Sequence, residues 1–163
     1  MKRLIILLLP IIILSFFSCR GQKYDILSYQ EKEIEADCTL NGEYKIRITK
    51  SAEASSVSFF EPSSLSHFSF TLTKDGLIAK ADDLEIPLSK EGSDGICALL
   101  SMFSLSDECL VYAGADENGE IFEFSSDMGE YTLTMSEVGV PKRIQISSKD
   151  FSFDVVIDAI KLN

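Results

Sequence analysis

Histidine occurs once among the 163 residues, and that scarcity removes a class of chemistry at the outset. A Ser-His-Asp hydrolase needs an imidazole held by an acid and set beside a nucleophile. His67 instead stands in the polar stretch from Ser63 to Ser69, just after Glu61-Pro62, where a loop or strand edge is expected. Serines abound, yet no G-x-S-x-G elbow presents one. No glycine-rich loop opens a helix to cradle a phosphate, so no nucleotide site is expected. The four cysteines show no C-x-x-C or Cys/His spacing of the kind that holds zinc or haem. The chain reads as non-enzymatic, with no cofactor and no metal.

Cations are the next shortage. Lys and Arg total 15 against 26 Asp and Glu, a formal net charge of −11. A body of that sign is repelled by nucleic-acid phosphates and by anionic lipid headgroups. No nucleic-acid partner is expected, a basic envelope protein is an admissible one, and membrane attachment cannot rest on a basic patch.

Long apolar runs are lacking too. Met1-Lys2-Arg3 is a short cationic start, and Leu4 to Phe17 is almost unbroken hydrocarbon apart from Pro10 and Ser15. A permanent span needs about 20 apolar residues, and this run stops short, in the layout of an export signal. Phe16-Phe17-Ser18-Cys19 resembles the lipobox of bacterial lipoproteins, with Phe16 where such boxes usually carry leucine. That resemblance implies that residues 1–18 are a signal peptide and that Cys19, diacylated on sulfur, becomes the first residue of the mature chain. The alternative is an ordinary signal peptide with an incidental cysteine. Residues 19–31 then form the anchor and a hydrophilic tether, with a short helix over Tyr24 to Gln30. Two acyl chains hold firmly where one does not, at about 0.8 kcal/mol per buried methylene. Removing residues 1–18 leaves 13 bases against 26 acids, in a length that suits one domain, residues 32–163.

From Glu33 onward the rhythm is alternation. Ile34, Ala36, Cys38 and Leu40 point one way, and Tyr44, Ile46 and Ile48 repeat the pattern after Asn41-Gly42, a strong hairpin signal. Phe68, Phe70 and Leu72 alternate before Asp75-Gly76, followed by Leu77 to Ala81 and by Leu84, Ile86 and Leu88. Phe122 and Phe124, then Tyr131 to Met135, Ile144 and Ile146, and Phe151 to Ile157 complete about eleven short strands, each with one wet and one dry face. One segment differs: in Ser93 to Ser106, Ile96, Leu99, Leu100 and Phe103 fall at helical spacing, with Ser93 as a cap and Asp94 in the first turn. The fold class is α+β, an antiparallel sheet with one main amphipathic helix on its dry face.

Two small features read as structure. Cys38, Cys97 and Cys109 are an odd set for an exported chain; a Cys97 to Cys109 disulfide is open, but small apolar core residues are the favoured reading. Asp116-Glu117-Asn118-Gly119-Glu120 has a calcium-loop flavour without the spacing of an EF-hand, and a turn into the Ile121 to Phe124 strand accounts for it.

The stretch FFEPSSLSHFSFTLTKDGLIAKADDLEIPL from Phe59, the lone helix, and the ending GVPKRIQISSKDFSFDVVI from Gly139 together resemble the LolA/LolB lipoprotein-localisation proteins. That resemblance implies a strongly curved half-barrel wrapped around the helix, with an apolar hollow for lipid or lipoprotein acyl chains. A hollow lined by Phe68, Phe70, Leu99, Leu100, Met102 and Phe103 would shield such chains by apolar burial alone. The expectation is therefore a monomeric envelope lipoprotein, lipid-anchored on the extracytoplasmic side of the bacterial cell membrane. The competing expectation is a non-catalytic interaction or assembly module in which the same six residues fill a core.

Overall fold

The computed structural model describes residues 27–89, 91–105 and 110–163. Eleven strands form a single antiparallel sheet that does not close on itself. They are β1 (Ile34–Leu40), β2 (Tyr44–Lys50), β3 (Ala54–Glu61), β4 (Phe68–Thr73), β5 (Gly76–Ala81), β6 (Leu84–Leu88), β7 (Val111–Asp116), β8 (Gly119–Ser126), β9 (Gly129–Met135), β10 (Pro141–Ser147) and β11 (Ser152–Leu162). Their order across the sheet is β6-β5-β4-β3-β2-β1-β11-β10-β9-β8-β7. Sheet neighbours are adjacent in the chain everywhere except at the centre, where the first strand meets the last, and the consecutive strands β6 and β7 lie at opposite edges. That pairing of β1 with β11 joins a left arm, β2 to β6, to a right arm, β10 to β7.

The hairpins follow their turn chemistry. Asn41 and Gly42 both take positive φ, 52° and 71°, and Asn41 also reaches β11, its Oδ1 accepting the Asp154 N–H at 2.8 Å. At the β7–β8 turn the Asp116 carboxylate accepts the N–H groups of Asn118 and Gly119 at 2.7 and 3.1 Å, so Asp116 serves the turn. Gly119, at φ 146°, is required there, because a Cβ would stand 1.8 Å from the Met135 carbonyl oxygen. Two strands have no counterpart in the alternation of the sequence. β3 is serine-rich, and β7, Val-Tyr-Ala-Gly-Ala-Asp, is largely exposed on both faces.

The one α-helix among the described residues, α1 (Asp94–Ser101), is shorter than the Ser93 to Ser106 pattern predicts. Ser93 holds the cap position but does not cap: its hydroxyl donates to the Ser89 carbonyl at 2.7 Å. After Ser101 the chain turns while Met102, Phe103 and Leu105 stay buried. Over Tyr24 to Gln30, where a short helix is predicted, the described part holds a 3-10 turn, Ser28–Glu31.

One core unites the pieces. The inner faces of β1, β2, β9 and β10 pack with α1 and Tyr29. The helix touches both arms: it contacts β3 and β4, Tyr131 of β9 donates its hydroxyl to the Ala98 carbonyl at 3.5 Å, and Gly95 lies against Phe151 and Phe153. No buried side-chain polar atom among the described residues lacks a hydrogen-bond partner.

Candidate functional site

On the left arm the apolar face runs on beyond the helix. Backbone register places Val57, Phe70, Ala79 and Ile86 in one row, Phe68, Ala81 and Leu84 in a second, and Leu72, Leu77 and Leu88 in a third. Paired residues share a face of the sheet, and Val57 belongs to the core, so all three rows lie on the inner face. Cover runs out along them. Val57 and Leu77 are fully buried, Phe68 and Phe70 half-buried, and at the edge Ile86 and Leu84 are 45% and 60% exposed. The Phe59 and Phe70 rings meet edge to face with centroids 6.5 Å apart, which holds Phe70 upright at the boundary between covered and open surface.

The six residues predicted to line a hollow are thus divided. Phe68 and Phe70 belong to the open rows. Leu99, Leu100, Met102 and Phe103 are 1% exposed or less, with Phe103 meeting the Tyr29 ring edge at 6.3 Å. None of the six lines the cavity of about 520 Å³ that opens beside β7. Leu84 and Ile86, absent from the sequence-based set, complete the exposed face. Their signal was present, since Leu84 to Leu88 alternates, but alternation does not say that a strand lies at an edge. Cys19 and Cys109 fall outside the described residues.

The outer face is chemically different. Arg47 donates to Asp37 at 2.7 Å, pairs with Glu35 at 3.2 Å and lies 5.2 Å from the centroid of the Phe60 ring. Phe60 is therefore a platform for Arg47 on the wet side. The Arg47 hydrogen bond holds the Asp37 carboxyl below the usual range. Asp158 is lowered likewise, first by the Thr39 hydroxyl and then by Lys45, and Arg143 meets Asp154 at 2.6 Å. Such exposed pairs contribute little to stability; they keep this face wet.

Reactive groups are muted. The free thiol of Cys38 is buried, and burial, followed by the charges of Asp158 and Asp37, pushes its pKa up to about 12, so the nucleophilic thiolate is suppressed. Cys97 is buried in α1. His67 is exposed, its ring 4.4 Å from that of Phe68. No helix among the described residues is long and apolar enough to cross a membrane.

No protein-family model and no curated protein matches this chain. Among solved structures it is similar to the crystal structure of an uncharacterized conserved protein from Thermus thermophilus, with a TM-score of 0.51, 13% identity and 88% of each chain covered. At that identity the likeness is one of fold, a sheet-dominated architecture carried over nearly the whole of both chains.

Proposed function

We propose that this chain is an envelope lipoprotein, anchored through acylated Cys19 on the extracytoplasmic side of the membrane, whose LolA/LolB-like half-barrel binds acyl chains without catalysis on the open inner face of β4 to β6. One observation carries the reading: an apolar face runs past its cover to the edge of the sheet, ending at exposed Leu84 and Ile86. The dimensions support it. Ten inter-strand gaps of about 4.8 Å make a sheet roughly 48 Å across, whereas an eight-residue helix is about 12 Å long. Helix contacts with both arms support a curved sheet, and the remaining apolar surface is left for a ligand. Each acyl methylene laid against that face contributes up to about 0.8 kcal/mol, without requiring a charge or a directional bond.

The test is mass spectrometry of the full chain expressed with its own leader in a bacterial host. The expected mature chain begins at Cys19 and carries diacylglycerol, and native spectra show co-purified lipid that is lost in Leu84→Glu/Ile86→Glu. A mature chain that begins elsewhere or lacks acyl mass ends the anchoring reading. Lipid retained by the double variant ends the placement of the site. A charge at Leu99 is unsuitable for this purpose, because it tests folding.

A second reading, an interaction module with a filled core and no ligand, draws on the complete burial of Leu99, Leu100, Met102 and Phe103. A bare chain in the same spectra selects it.

A further inference from the structure

The two edges of the sheet are protected very differently. Edge strands present unpaired backbone groups, and natural proteins blunt them with proline, charge or cover. β6 contains Pro87, which has no N–H to offer, and Glu85 paired to Lys80 at 3.3 Å. β7 reads Val-Tyr-Ala-Gly-Ala-Asp, with neither proline nor lysine. It pairs with β8 on one side, and among the described residues nothing pairs with its other side. Val111 and Tyr112 are 61% and 59% exposed.

Beside β7 the inner face opens into a cavity of about 520 Å³. Phe122 and Met135 form its apolar part, and Asp116, Glu120 and Glu137 bring carboxylates to it. Lys142 is not part of its lining; its Nζ donates to the Asn118 carbonyl at 2.8 Å. Register puts Ala115 opposite Glu120 and Tyr112 opposite Phe122, so a strand added to β7 would send alternate side chains to the inner face, one of them beside Ala115 at the cavity.

We propose that the open edge of β7 docks an extended basic segment of another protein, which adds a twelfth strand and seats a lysine or arginine in this cavity. Main-chain hydrogen bonds along β7 supply affinity, and the cavity supplies specificity. A long cationic side chain suits it, with the hydrocarbon stem on Phe122 and Met135 and the charged head among the acids. Charge selects the occupant: in a chain of net charge −11, a second copy would bring further acids to the joint. The inference stands apart from lipid binding, which concerns the opposite arm.

The experiment uses the full chain in detergent and two fluorescein-labelled decapeptides, one alternating valine with lysine and one alternating valine with glutamate. The lysine peptide is expected to bind at least 10-fold tighter and to slow amide exchange over residues 111–116. Glu120→Lys/Glu137→Lys, both exposed positions, and separately Tyr112→Lys, are expected to lower that affinity at least 10-fold with an unchanged melting temperature. Glu53→Lys/Glu91→Lys makes the same charge change elsewhere and is expected to lose less than 3-fold. Equal binding of the two peptides, slowed exchange at another strand, or equal losses in the two double variants overturns the proposal. Self-association that protects residues 111–116 without peptide also overturns it, in favour of a second copy.

Discussion

β1 and β6 carry the same signature, apolar residues at every second position, yet they live in different environments. β1 lies at the middle of the sheet between β2 and β11, and its inner residues Ile34, Ala36, Cys38 and Leu40 are all buried. β6 lies at an edge, and Leu84 and Ile86 on the same inner face remain open. Alternation therefore identifies the face meant to be dry, while cover depends on what the rest of the chain places over it. In this protein the cover is short, and the open ends of the sheet are where binding is proposed.

Truncation separates the two strands most. Ile34→Ala in β1, a buried position, is expected to cost about 2–5 kcal/mol in chemical denaturation, whereas Ile86→Ala at the edge should stay within about 0.5 kcal/mol. Similar values for the two would mean that β6 is covered after all. Next comes the β7–β8 turn, where Gly119→Ala combines positive φ with the close approach to Met135 and is expected to cost about 1–3 kcal/mol. A neutral result would show the right edge to be looser than its backbone geometry implies.

Titration separates core from surface in a third way. Burial raises Cys38 from 9.0 and Tyr29 from 10.0, each to about 12, so the folded state holds these protons more tightly than the unfolded one. Their contribution is complete below the ordinary values and is lost as pH rises toward 12. Cys38→Ala should therefore flatten the alkaline limb of a stability profile that begins to fall near pH 9. On the acid side Asp37 and Asp158 are lowered from 3.8. Their contribution is present above that value and disappears as pH falls through the lowered one, by a small amount because both are exposed. Smallest of all, Arg143→Ala breaks an exposed pair and should shift stability by about 0–1 kcal/mol, less at high salt.

Much of the fold was legible because half-buried antiparallel strands print a period of two. β1, β2, β4, β5, β6 and β8 to β11 are all marked in that way, and Asn41-Gly42 and Asp75-Gly76 mark turns through their φ requirements. β3 and β7 were silent for physical reasons. The serines of β3 blur its contrast, and β7, wet on both faces, has no dry side to alternate with. The helix was legible as a type but not in length, since Met102, Phe103 and Leu105 are buried from a turn that spacing cannot tell from a continuing helix. Of the candidate site, Phe68 and Phe70 were visible; Leu84 and Ile86 looked like any other strand residues.

Residue type and local spacing were enough for a sheet-dominated antiparallel fold, the acidic character, the hairpin turns and the apolar side of most strands, because each of these is a property of neighbours along the chain. Long-range assembly was needed to close β1 against β11, to pack four of the six expected lining residues solid, and to leave β6 and β7 at the ends of the sheet. Those outcomes depend on which distant segments meet, and a pattern of period two is the same whether its dry face finds a neighbour or meets water.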